Sequence, residues 1–346
     1  MKKNHRAWRV PVSGALLFAT AVSAEQDLQT YLDSTNRVTL SLRFGLNISG
    51  KFKGTGGILG GAGHYVDGYV LTDVSGNAGN QTWYWGYDNS SGPNNQLNVS
   101  GPNSIDMHRY SAAGLSGNNS GDDSPYIGAE LTYNYELGVK EDWHHLRYGL
   151  EVAINYMPIE FNSGGLYNAV SRTTDTYGYT PGTTPPSAPY AGGYQGPNFV
   201  LNVPPISTTA LVPNATFLAQ QHFDANLWGF RLGPYIEYPL SKKWSLHLSG
   251  GLAVGLLDAE ANWKETLTDP VNNLTVTASG SGRDTSLLWG YYIGLEAAYQ
   301  FNKDWGVEAG VQFQDLGTYS HNFGGRVAEL DLSQSIFVHV GISYSF

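Results

Sequence analysis

Long stretches of this chain alternate apolar and polar residues one by one, and that period of two limits the fold more than any other feature. In 330–346 the even positions carry Leu330, Leu332, Gln334, Ile336, Val338, Val340, Ile342, Tyr344 and Phe346, and the odd positions carry Asp331, Ser333, Ser335, Phe337, His339, Gly341, Ser343 and Ser345. One face is oily, the other small or polar. Such a run is far longer than the roughly 5–6 residues of an ordinary strand, and it suits a tilted strand crossing a lipid layer, which needs about 9–11. A soluble β-sandwich is the competing reading.

The same alternation recurs along the chain. In 37–54, Val38, Leu40, Leu42, Phe44, Leu46 and Ile48 share a face opposite Arg37, Arg43 and Lys51. Further runs follow at 126–139, 146–161, 223–239, 244–256, 286–300 and 305–314, each with its apolar residues on one parity. In lipid the apolar face must point outward, which sends the charged parity to the interior. The expected fold class is therefore all-β, a transmembrane antiparallel up-and-down β-barrel of eight strands. Short turns at 140–145, 239–243 and 302–304 alternate with long extracellular loops at 55–125, 162–221, 263–284 and 318–329. Prolines 181, 185, 186, 189, 197, 204, 205 and 213 exclude the second loop from a membrane sheet. Two short β-like pieces in the first loop, 81–88 and 104–110, read as a hairpin or cap above the barrel; a ten-stranded barrel that uses both is the alternative.

Composition agrees with this class. Charged residues make up 14 % of the chain, whereas Gly reaches 43, Tyr 23 and Trp 9; soluble domains usually carry about 25 % charge. There is no Cys, which excludes disulfides and thiolate chemistry. Lys2, Lys3, Arg6 and Arg9 precede a short apolar run and the small residues Val22, Ser23 and Ala24, so residues 1–24 read as a secretory signal peptide and 25–346 as the barrel domain. Removing those four basic residues takes the formal charge from −10 to −14, which argues against nucleic acid as a partner.

With its alternating apolar residues and terminal phenylalanine, 330–346 resembles the last strand of bacterial outer-membrane β-barrels. The eight-strand pattern resembles the small OmpA, OmpX and OmpW barrels, without a peptidoglycan-binding domain, and the strings GHYVDGYV at 63–70 and TWYWGYDN at 82–89 resemble segments of uncharacterised verrucomicrobial outer-membrane proteins. The resemblance implies a monomer in the cell outer membrane, in contact with lipid and lipopolysaccharide. It also implies insertion by the barrel assembly machinery, with Val340, Ile342, Tyr344 and Phe346 as the assembly signal. No cofactor is implied.

Inward parity gives a candidate lumen network of Arg43, Glu130, Arg147, Glu151, Arg231, Glu296, Glu308 and His339. Counting up from the strand ends pairs Arg43 with Glu151 and Arg231 with Glu296. Such a network either fills a narrow interior or filters a small solute. Nine aromatics, among them Trp143, Trp244, Tyr299, Trp305 and Phe346, fall near the turn side as a girdle. Trp83, Tyr84, Trp85 and Tyr87 form a loop aromatic cluster suited to packing or to contact with a ligand. His247, Ser249 and Glu237 have the residue types of a hydrolytic triad without a family motif, and the expectation is that the chain is not an enzyme. Asn118, Asn119, Asp122 and Asp123 lack the spacing of a Ca²⁺ loop, and His144 and His145 read as an interfacial turn, so no metal is expected. The expected role is structural or surface-interactive, with passive transport through a narrow pore as the alternative and a membrane-embedded lipid hydrolase as the third.

Overall fold

The alternating segments become the strands of an antiparallel ring: β1 (Asn36–Leu46), β2 (Tyr126–Lys140), β3 (Leu146–Tyr167), β4 (Thr216–Pro239), β5 (Trp244–Asp269), β6 (Leu274–Gln300), β7 (Trp305–Asp315) and β8 (Ser335–Ser345). Each is hydrogen-bonded to the strands before and after it, and β8 pairs with β1. The computed structural model describes residues 36–71, 80–120, 125–143, 145–193 and 199–346. The expected signal peptide at 1–24, together with Asp122, Asp123 and His144, lies outside the described residues. No described helix is long and apolar enough to cross a membrane, which says nothing of strands.

The expected class, an eight-stranded up-and-down transmembrane barrel with long loops, is corrected. Eight strands do form a hydrogen-bonded ring, but the connections at one end are built structure, and four further sheets arise from them. The ten-stranded alternative fails too. Residues 81–82 and 85–87 pair with 201–202 and with 190–191 and 68–70, while Ser104–Ala112 pairs with Val170–Gly178. The cap expected from 81–88 and 104–110 is thus shared between the first and second long connections.

The ring is also uneven in height. Strands β1, β7 and β8 have 11 residues each, whereas β3 has 22, β4 24, β5 26 and β6 27. The expected third loop, 263–284, is mostly strand, and its turn is only the segment between Asp269 and Leu274. On the low side the chain folds inward. Asn47 takes a left-handed backbone (φ 57), a conformation that Asn tolerates better than most residues, and Ile48 swings from the outward parity into the core. Ser49–Lys53 then joins Asn118–Ser120, Thr318–Phe323 and Arg326–Asp331 in a four-stranded plug sheet. The single long strand expected at 330–346 is therefore two, since Leu330 belongs to the plug and β8 starts at Ser335.

Along the tall wall the side-chain environment inverts while the register stays unbroken. The outward row Tyr156, Trp228, Leu256 and Leu287 is apolar; the next outward row, Pro158, Asn226, Asp258 and Thr285, is largely polar. Inside, the order is reversed. Glu151, Arg231 and His247 lie below, whereas Met157, Ile159, Phe161, Phe223, Leu227 and Leu257 lie above and bury the plug residues Phe52, Phe323 and Leu330. Phe161 stacks on Phe223 at 4.7 Å and meets Phe52 edge-on at 5.8 Å. Gly290 permits the step inward, since a Cβ there would lie 1.6 Å from the Asp315 carbonyl oxygen, where β7 ends.

Candidate functional site

Inside the lower part of the ring, small residues leave room for large charged ones. Arg231 has Ala153 and Ala253 beside it on the neighbouring strands, and Arg43 has Gly128 on one side. Both guanidiniums reach the same carboxylate: Arg43 Nη1 lies 2.6 Å from Glu130 Oε2, and Arg231 Nη2 lies 2.7 Å from Glu130 Oε1. Arg231 Nη1 also donates to Glu151 Oε1 at 3.2 Å, and Arg43 Nη2 to Gln314 Oε1 at 2.6 Å. Two aromatic rings roof the pair, with Arg43 3.6 Å from the Phe337 centroid and Arg231 4.5 Å from that of Tyr292. These rings belong to the apolar core above, so the ionic layer meets the plug through cation–π contacts.

A second layer lies nearer the turns. Arg37 Nη1 donates to both Glu237 oxygens at 3.1 and 3.2 Å, and its Nε lies 2.8 Å from Glu308 Oε1. Glu308 also accepts from Thr39 at 2.9 Å. His247 joins the layers, with Nδ1 3.2 Å from Arg37 Nη2 and Nε2 3.0 Å from Glu151 Oε2. His339 Nε2 stands 3.2 Å from Glu296 Oε1, and Arg147 Nε donates to Glu136 Oε2 at 2.5 Å.

The eight predicted residues are thus all in the interior, but the two predicted pairings change. Arg43 pairs with Glu130 and not Glu151; Arg231 pairs with Glu130 and Glu151 and not Glu296. Counting from strand ends ignores the stagger of the strands, which decides which inward residues meet. Arg37, Glu136, Glu237 and His247 are further members of the network. All four stand on inward positions, and parity alone was signal enough to include them. The buried bidentate pair Arg326–Glu265 (2.8 Å for each bond) lies in segments expected to be loops, and no periodicity marked it.

Of the triad residues, His247 and Glu237 are committed to the ionic network. Both His247 ring nitrogens face Arg37 and Glu151, Glu237 accepts from Ser245 at 2.5 Å, and Ser249 Oγ has no hydrogen-bond partner. Among the described residues no group of three or more His, Asp or Glu is placed to hold a metal ion. The loop aromatic cluster divides. Trp85 and Tyr87 are fully buried, and their polar atoms donate to the carbonyls of Phe199 (2.8 Å) and Pro186 (2.5 Å), whereas Trp83 and Tyr84 are half-buried. Val340, Ile342, Tyr344 and Phe346 all point outward, and Phe346 exchanges backbone hydrogen bonds with Asn36 at the seam. Girdle side chains meet in tilted pairs, Trp244 with Tyr299 at 4.9 Å and Trp305 with Tyr344 at 5.0 Å.

Above the plug, the head formed by the other sheets holds a polar cleft of about 280 Å³ lined by Asp67, Asp88, Asp106, His108 and Arg172, among others. His108 is nearly buried, and its Nδ1 lies 2.5 Å from Asp67 Oδ2.

No family model matches the chain, and no curated protein matches it. Among solved structures it is similar to the outer membrane protein OprG from Pseudomonas aeruginosa (TM-score 0.35, 10 % identity, 90 % of this chain and 96 % of that one). It is also similar to the outer membrane protease OmpT from Escherichia coli (0.34, 10 %, 94 % and 99 %) and to the attachment invasion locus protein Ail of Yersinia pestis in complex with the heparin analogue sucrose octasulfate (0.26, 9 %, 90 % and 99 %). At such scores the likeness carries no weight for function. The narrower resemblance to OmpA, OmpW or verrucomicrobial proteins is not singled out by these matches.

Proposed function

We propose that the chain is an outer-membrane protein of the cell surface: the apolar belt of the ring meets lipid, the ring interior is occluded, and the β-rich head is the working part. The observation that carries the occluded lumen is the continuous interior filling, ionic from Arg37 to Arg231 and apolar from Phe337 to Phe323. Outward residues of the belt are widely exposed, Leu252 and Trp289 by 67 %, Ile293 by 53 % and Val340 by 49 %. A contiguous apolar belt of this extent is unfavourable in water and suited to lipid. Contact with lipid and lipopolysaccharide, insertion by the assembly machinery and removal of residues 1–24 as a signal peptide belong to the same reading. No catalytic role is proposed. Single-channel recording of the refolded protein in planar bilayers tests the reading: no persistent conductance is expected, and a stable open level would favour passive transport of small solutes.

A further inference from the structure

The sheet of Ser104–Ala112, Val170–Gly178 and Ile206–Leu211 ends on the last of these, and among the described residues no strand pairs with its outer edge. All six residues of this strand are exposed, Ile206 by 75 % and Leu211 by 65 %. Natural edge strands are usually blunted by a charge, a proline or a bulge. Here the sequence ISTTAL holds no charge and no proline, and its register against Ser171–Thr176 runs without a bulge. Prolines 204, 205 and 213 stand just outside the strand, so they bound the free edge without blocking it. The edge is also held rigid from behind: Ser207 donates to Asp175, and Thr209 shares a hydrogen bond with Thr173 at 2.8 Å.

We propose that Ile206–Leu211 is a dimerisation edge that takes the same strand of a second copy of this chain, antiparallel and centred between Thr208 and Thr209. The sequence is complementary to itself in that register. Ile206 falls opposite Leu211 of the second copy, Ser207 opposite Ala210, and Thr208 opposite Thr209, so each face carries one apolar pair and one Thr pair, both favourable across strands. With no charge on the strand, no like charges meet, although the chain as a whole is acidic. Two three-stranded sheets become one of six strands. This replaces the monomer expected from the sequence and gives the proposed surface role a partner. It rests on that reading only for the side of the membrane on which the copies meet.

Because the chain has no Cys, the register can be read directly. Thr208→Cys and Thr209→Cys proteins are prepared separately, mixed in detergent and mildly oxidised. Directly opposed residues of an antiparallel pair lie about 4.5–5.5 Å apart at Cα, within disulfide reach. The expected result is a cross-linked dimer from the mixture in clear excess over either protein alone, together with a doubled protein mass for the wild type by light scattering. The double variant Thr208→Lys/Thr209→Lys is expected to return to monomer mass with an unchanged far-UV spectrum. A wild type that stays monomeric at high concentration with no cross-link overturns the proposal, as does a monomer whose edge is filled by an unrelated extended peptide. A conducting lumen would remove the occluded-ring reading and leave the dimer standing; a monomer would do the reverse.

Discussion

Below the row of Tyr156 and Trp228 the ring is apolar outside and polar inside; one row higher, on the same strands, it is polar outside and apolar inside. Leu252 and Lys264 both point outward from β5, and only the first belongs to the belt. Backbone geometry is the same in both regions, so solvent and not register decides which face is oily. With the belt in lipid as proposed, the lower part gives its apolar face to lipid and the ionic layer fills the middle. In the upper part water takes the polar face, and the plug completes a two-layer core of the ordinary soluble kind.

The comparison is broken most strongly by disturbing the middle of each region. Glu130→Ala in the lower part leaves Arg43 and Arg231 facing each other without their shared carboxylate, an expected loss of about 3–5 kcal/mol. Urea unfolding from micelles reads it, and a double-mutant cycle with Arg43→Met should be clearly non-additive. In the upper part Phe223→Ala removes the ring that stacks on Phe161 and touches Phe323, with an expected loss also of about 3–5 kcal/mol. Protease sensitivity should rise in the head while the seam at Asn36 and Phe346 stays protected.

A smaller effect sharpens the boundary itself. Leu252→Arg is expected to cost about 2–4 kcal/mol, because the side chain faces the centre of the belt. On the same strand and face, Lys264→Leu should change stability by less than about 0.5 kcal/mol. Equal effects at the two positions would mean that lipid does not end between them.

The smallest expected effect is the share of the pH dependence that Asp175 gives to the head. Burial works to raise the Asp175 carboxyl, but hydrogen bonds from Ser207, Arg109 and Tyr65 outweigh it and hold the group below its ordinary value of 3.8. A lowered carboxylate stabilises the folded state above the unfolded value and loses that contribution as pH falls through the folded one. Head stability should therefore be level from neutral pH to about 5 and decline below about 4. Asp175→Asn should flatten that decline, as followed by thermal unfolding across pH.

How far the sequence could be read follows from the same inversion. The eight strands, their parity and the turn-side aromatics were legible, because lipid demands an unbroken oily face from Leu146 to Tyr156 or from Trp244 to Leu256. Beyond those points the apolar residues change parity: Met157, Ile159 and Phe161 are odd where Leu150, Val152 and Ile154 are even. A pattern that slips by one looks like the end of a strand, and so 263–284 read as a loop although both of its arms stay hydrogen-bonded up to the turn after Asp269. The plug was illegible for another reason. Its strands are short, come from distant parts of the chain, and acquire an apolar face only against the tall wall. In the ionic layer parity supplied the members, but the partners depended on strand stagger, which no local pattern records.

With the belt placed in lipid as proposed, the uneven rim also sets how far the molecule stands out from the cell. A strand of 27 residues such as β6 has a contour of roughly 90 Å at about 3.3 Å per residue, or roughly 60–70 Å along the axis at a tilt of 35–45°. The lipid-facing band of such proteins takes up only about 25 Å of that height. On the proposed placement the rest is a stalk made of the same hydrogen-bonded strands that carry the belt. It lifts the cleft at His108 and the free edge at Thr208 clear of the headgroups, within reach of another molecule.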